Sequence, residues 1–147
     1  GKVEAAKADP RLLWLGRQPY DAVPALLRGA LAALCVIEDQ DGRSASGVAP
    51  LKLFEAMACG IPVIASDLPF QADIVRQAGA GMIIPAADAA ALARAVRALA
   101  EMPDLAEMRA GGASYVAREA SWRRRGEELD RILHVTIGRP READPAG

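Results

Sequence analysis

Short apolar runs alternate along the chain with longer stretches in which apolar residues return every three or four positions. The runs Arg11-Leu12-Leu13-Trp14-Leu15, Ala33-Leu34-Cys35-Val36-Ile37, Ile61-Pro62-Val63-Ile64-Ala65 and Met82-Ile83-Ile84 predict strands, the second apolar throughout and so buried on both faces, the third also buried. Between them the helical period predicts helices over 20–31 (Val23, Leu26, Leu27, Leu31), over 50–59 (Leu53, Phe54, Met57), from 67 to Gly79 (Ile74, Val75), and after Asp88 (Leu92, Val96, Leu99). A strand, helix, strand order this regular implies a parallel sheet with right-handed crossovers.

Punctuation residues agree with that division. Gly16-Arg17-Gln18-Pro19 reads as a turn, and Pro50 suits a first helical position, where its missing N–H is not needed. Gly60 and Gly79 stand where helices close with φ > 0, Asp88 can cap the helix that follows it, and Pro85 cuts off the fourth strand. Residues 1–9 read as the tail of a helix stopped by Pro10, which suggests a fragment. The stretch 38–46 is polar and aperiodic, a loop long enough to carry function. From Pro103 onward the chain is predicted helical. Gly111-Gly112 costs about 1 kcal/mol per glycine there and predicts a bend or break. Ser121 can cap a last helix running to Leu133, with Trp122, Leu129 and Ile132 packing back onto the domain. The expected division is a domain over 1–133 and a tail over 134–147, disordered from Gly138.

Composition narrows the function. The 147 residues form one domain by length, and a net charge of −1 gives no general pull toward nucleic acid or anionic lipid. Arg123-Arg124-Arg125 is followed by Glu127 and Glu128, the pattern of a solvated face. With one histidine, His134, and with Cys35 and Cys59 unclustered, neither a zinc site nor a histidine-dependent triad is expected. No signal peptide and no run near the ~20 residues of a membrane span is seen, so a cytoplasmic protein is expected.

In an open parallel sheet, ligands bind beyond the carboxyl ends of the strands, here the loops after Leu15, Ile37 and Ala65. The helix opening at Pro50 would offer free amides and a positive dipole end to an anion such as a diphosphate. Glu55, one turn on, can accept hydrogen bonds from a vicinal diol such as a ribose; periodicity alone favours a surface residue paired with Lys52 at i, i+3.

These residues also resemble a known family. The run Pro50-Leu51-Lys52-Leu53-Phe54-Glu55-Ala56-Met57-Ala58-Cys59-Gly60-Ile61-Pro62-Val63-Ile64-Ala65-Ser66-Asp67-Leu68-Pro69 is similar to a signature of retaining GT-B-fold glycosyltransferases of the family-four, group one type. Leu13-Trp14-Leu15-Gly16, Val23-Pro24, Gly81-Met82-Ile83-Ile84-Pro85 and Ser121-Trp122 extend the resemblance to about Leu133. It implies an α/β fold: a Rossmann-like parallel sheet with flanking helices, part of the C-terminal, donor-binding half of a GT-B architecture, ending in C-terminal helices. It also implies that Glu55 is the second glutamate of the family's E-x7-E signature and holds the ribose hydroxyls. The first glutamate would fall at Gly47, a departure from the pattern. Gly47, Val48, Ala49, Pro50, Leu51 and Lys52 would approach the sugar and diphosphate, and Gly16, Arg17 and Gln18 would lie beside the base.

The implied partners are a nucleotide-diphosphate sugar and an N-terminal acceptor-binding domain of the same protein, through which peripheral attachment to a membrane is open. Neither nucleic acid, nor a required cofactor or metal, nor a transmembrane segment is implied. The family's upstream Arg and Lys pair has no match, so the chain alone is not expected to be catalytic. Two other readings stand beside this one: a nucleotide-sugar 2-epimerase-like domain, and a non-catalytic Rossmann-like module that binds a protein partner.

Overall fold

The computed structural model of the chain describes residues 4, 8–38 and 49–137. Its centre is a three-stranded parallel sheet in the order β1 (Ala33–Cys35), β2 (Val63–Ser66), β3 (Gly81–Ile84). Val63 is the register point of the sheet, paired with Ala33 on one side and Gly81 on the other. Among the described residues the sheet is accompanied by the helices α1 (Val23–Leu27), α2 (Leu51–Ala58), α3 (Gln71–Ala78), α4 (Ala89–Glu101), α5 (Ala106–Tyr115) and α6 (Trp122–Ile137). A 3-10 turn over Tyr20–Ala22 precedes α1, and a π-helical turn over Val116–Ala120 links α5 to α6.

β2 is buried at every position, as its unbroken apolar sequence requires of a central strand. Each face of the sheet carries its own cluster. Cys35, Val63 and Ala65 pack with Leu53, Ala56 and Met57 of α2 and with Ile74, Val75 and Ala78 of α3. Ile64 and Ile84 pack on the other face with Ala91, Ala95 and Leu99 of α4. Period-2 alternation along β2 thus divides the core, and complete burial of a side chain such as Leu53 or Leu99 is worth about 1.5–3 kcal/mol.

Helix ends follow local chemistry. Gly60, at φ 67, closes α2 in a Schellman motif: its N–H bonds to Met57 C=O and that of Ile61 to Ala56 C=O, both at 3.0 Å. Gly79, at φ 56, closes α3 in the same way through the N–H groups of Gly79 and Ala80. Asp88 Oδ1 accepts from Ala91 N–H at 2.8 Å at the start of α4, and Ser121 Oγ accepts from Arg124 N–H at 3.2 Å at the start of α6.

Several expectations are corrected. The apolar run 11–15 is not a strand; it lies exposed, with Leu13 at 85%. A strand needs a laddered neighbour, and none of the described residues supplies one there. The helix expected over 20–31 is confined to the 3-10 turn and α1, because Arg28 turns to ψ 128 and Gly29 takes φ 85. β1 stops at Cys35, two residues short of Ile37, and β2 begins only at Val63. The helix expected from Asp67 starts at Gln71, after Phe70 takes φ 71. In α4 the buried stripe is Ala91, Ala95 and Leu99; Leu92 is partly buried and Val96 is exposed, since small residues let the helix sit close on the sheet.

Gly111-Gly112 does not break its helix, which runs through both as α5. A Cβ on Gly112 would meet the Ala80 methyl at 3.2 Å and the Met57 backbone at 3.4 Å, so the glycines admit α5 against the ends of α2 and α3. The helical ladder changes instead at the π-turn. Trp122, Leu129 and Ile132 do not fold back: they are 82%, 57% and 55% exposed on α6, which continues to Ile137. Most of 1–9, the loop 38–46 beyond Glu38, and the tail from Gly138 lie outside the described residues.

Candidate functional site

A crossover helix begins at the carboxyl end of the strand before it, so the starts of α2 and α3 stand at the edge of the sheet where ligands bind in this class of fold. At α2 the N-cap is Pro50, in extended conformation (φ −70, ψ 139), and no side chain caps the helix. The amides of Leu51 and Lys52 have no acceptor within the helix by its geometry. Leu53, Ala56 and Met57 are buried at i, i+3 and i+4, which turns Lys52 and Glu55 away from the core.

Lys52 is exposed and Glu55 half-buried. No hydrogen bond or ion pair joins them, and the Glu55 carboxylate has no such partner among the described residues. The surface reading, a Glu55–Lys52 pair at i, i+3, is therefore not formed. Burial pushes the Cys35 thiol up, and the Lys52 charge acts on it in the opposite direction, so Lys52 lies within electrostatic reach of the end of β1. Ala49, Pro50, Leu51, Lys52 and Glu55 are thus gathered at one helix start. Gly47 and Val48 lie outside the described residues.

Gly16, Arg17 and Gln18 lie ahead of the 3-10 turn at Tyr20. All three are exposed; Gly16 has φ 66, and the Gln18 amide donates to Leu15 C=O at 2.5 Å. No hydrogen bond or ion pair among the described residues ties them to α2.

Sequence reasoning missed the residues at the end of β2 and just after it. Ser66 is fully buried, and its hydroxyl accepts from Ile37 N–H at 2.9 Å and donates to Ile37 C=O at 2.8 Å. Gln71, also fully buried, donates from Nε2 to Ser66 C=O at 2.8 Å, while its Oε1 has no partner. Phe70 sits between them at φ 71, ψ −60, with Gln71 N–H on Pro69 C=O at 2.9 Å, a classic γ-turn that a non-glycine residue adopts only under strain. The signal within the sequence was slight: a Ser ending an apolar strand and a Gln at the next helix start.

Elsewhere the polar groups have structural roles. Arg76 bridges Asp67 at 2.7 Å and Asp73 at 3.3 Å, and these carboxylates hold its guanidinium pKa above the usual value. Arg124–Glu127 and Arg125–Glu128 pair along α6, in keeping with a solvated face. A cleft of about 460 Å³ lies beside β3 and α4, on the opposite edge of the sheet from β1, and is lined by Met82, Ile84, Arg94 and Ala98 among others. Both cysteines are free thiols, Cys35 buried and Cys59 partly so. Among the described residues no cluster of three His, Cys, Asp or Glu is placed to hold a metal, and no helix is long and apolar enough to cross a membrane.

A parallel three-stranded sheet flanked by helices, with an uncapped helix start at its carboxyl edge, is a Rossmann-like α/β domain. The family model for glycosyl transferases group 1 matches residues 2–114, and the chain belongs to that family. A phosphatidyl-myo-inositol mannosyltransferase of Mycobacterium leprae is 36% identical over 83 residues, covering 56% of this chain and 22% of its own length. An exopolysaccharide phosphotransferase of Streptomyces coelicolor is 31% identical over 129 residues, covering 71% of this chain and 13% of its own. Among solved structures, the sucrose-phosphate synthase of Thermosynechococcus elongatus superposes with a TM-score of 0.74 at 23% identity, over 93% of this chain and 33% of that one. That likeness establishes the GT-B, Rossmann-like fold. The chain spans about a fifth or less of the two curated relatives it matches.

Proposed function

We propose that this chain is the nucleotide-sugar donor-binding part of a retaining glycosyltransferase that passes a sugar from a nucleotide diphosphate to an acceptor hydroxyl. The observation that carries the reading is the start of α2, where uncapped amides and a Glu55 carboxylate without a partner among the described residues share the carboxyl edge of the sheet. The amides of Leu51 and Lys52 face the diphosphate, as backbone donors at a helix N-terminus do for anions. Glu55 accepts from the two ribose hydroxyls, a task for which an ionised carboxylate with free lone pairs is suited. Gly47, Val48, Ala49 and Pro50 approach the sugar and diphosphate, and Gly16, Arg17 and Gln18 flank the base. Stabilisation of charge on the departing diphosphate is the main catalytic term, with basic side chains added by a preceding part of the protein and the acceptor held by an N-terminal domain. The mannosyltransferase relative supports transfer of a hexose.

A second reading, phosphoryl-group transfer, draws on the phosphotransferase relative. Both use a phosphate-bearing donor, and they part at the product: a glycoside, or a phosphodiester.

Thermal unfolding of the chain with UDP, GDP and ADP tests the donor site. A nucleotide at 100 times its dissociation constant adds about 2.7 kcal/mol of stability. One nucleotide should stabilise the chain, and Glu55→Ala should abolish most of that gain without changing the unliganded midpoint. Equal stabilisation of Glu55→Ala and wild type would remove Glu55 from the site.

A further inference from the structure

The three consecutive arginines at the start of α6 meet different fates. Arg125 pairs with Glu128 at 3.4 Å, whereas Arg124 reaches Glu127 only at 3.9 Å. The side chain of Arg123 has no hydrogen bond or ion pair among the described residues, and neither has that of Arg118. Arg118, Arg123 and Arg124 line one cleft of about 350 Å³, together with Ala117, Ser121 and Glu127.

The backbone brings them together. In an unbroken α-helix, residues five apart lie about 140° from each other around the axis, so Arg118 and Arg123 would face different ways. Here the chain widens into the π-turn over Val116–Ala120, Ser121 takes an extended conformation (φ −69, ψ 149), and a new helix starts at Trp122. Ser121 Oγ accepts from Arg124 N–H at 3.2 Å and Ser121 C=O from Arg125 N–H at 3.0 Å, which fixes the first turn of that helix. The π-turn in its turn packs on α2 and Val116 joins the core, so the Arg118 wall of the cleft is anchored. π-turns of this kind recur at functional sites.

We propose that this cleft binds a phosphate ester. Three guanidiniums share it with one carboxylate, Glu127, and like charges gathered in one place repel until an anion joins them. A guanidinium offers two parallel N–H donors to a phosphate, and here two such forks are unengaged and arrive from opposite sides of a break in the helix. The space is larger than a phosphate group alone fills, so the cleft takes part of the molecule to which the phosphate is esterified. That molecule is a soluble phosphate monoester or a lipid with a phosphate headgroup; the recognition chemistry is the same. The site does not depend on the donor-binding reading.

The test uses this isotope-labelled chain at fixed ionic strength. Glycerol 3-phosphate is titrated while backbone amide and arginine Nε–H resonances are followed, and sedimentation is measured with vesicles of phosphatidylcholine with and without phosphatidic acid. Saturable shifts should centre on Arg118, Arg123 and Arg124. Arg118→Gln and Arg123→Gln should each weaken binding by about tenfold. Arg125→Gln removes the same charge from the same helix outside the cleft and should leave affinity unchanged. Glu127→Gln, which frees Arg124 and takes away the carboxylate, should tighten binding by about threefold. All four side chains are exposed, so the urea midpoints should stay near that of wild type. Sedimentation that requires phosphatidic acid and is lost in Arg123→Gln assigns a lipid headgroup; binding of glycerol 3-phosphate without sedimentation assigns a soluble ester. Equal weakening by Arg125→Gln and Arg123→Gln, shifts centred on Leu51 and Lys52 in place of the cleft, or no binding in either arm overturns the site.

Discussion

The Gly111 Cα rests against the Ala78 carbonyl, so close that a Cβ built on Gly111 would lie 2.2 Å from that oxygen. This contact docks α5 onto the closing turn of α3.

Gly111→Ala should therefore destabilise the domain, although alanine is the better helix former. Propensity favours the change by about 1 kcal/mol, while forcing a methyl into a packed backbone contact costs about 1–3 kcal/mol and leaves Ala78 no flexible side chain to move aside. A fall in the urea midpoint at unchanged m-value is the expected result. A rise would mean that α5 does not pack against Ala78.

Asp88→Ala removes the cap of α4. The bond from Ala91 N–H to Asp88 Oδ1 is the only side-chain cap at that start, and loss of such a cap costs about 0.5–2 kcal/mol. Asp88→Asn, which retains an acceptor oxygen, should recover most of it in the same urea titration.

The two thiols should differ in reactivity. Burial raises the Cys35 pKa, so it stays a protonated thiol at neutral pH, whereas Cys59 is partly exposed at the end of α2. A maleimide at pH 7 should label Cys59 and spare Cys35 until urea is added. The linkage has one sign: Cys35 binds its proton more tightly when folded, so its contribution is complete below the ordinary thiol pKa and is lost as pH rises through the folded value. Cys35→Ala should flatten the decline of stability above about pH 9. An unchanged decline would assign it to other groups.

Much of this domain was legible before folding was considered. Gly60, Gly79, Asp88 and Ser121 end or begin helices where they were expected to, because a cap is decided by the conformational freedom or the side-chain oxygen of one residue and its near neighbours. The parallel α/β order followed from apolar runs separated by helical periods, and α2 with Glu55 stood out from its proline, its glycine and the family signature.

Long-range pairing decided the rest. The run at 11–15 has the composition of a strand, yet a strand exists only when another backbone completes its ladder. Gly111 and Gly112 have the composition of a break, yet the approach of α2 and α3 makes them a docking surface. In α4 the choice of Ala91 and Ala95 over Leu92 and Val96 depended on how near the sheet lies. The bond from Ser66 to Ile37 spans 29 residues, and no local pattern encodes it. Composition and spacing determine what a segment can do by itself, whereas neighbours distant in sequence determine which of those possibilities is realised.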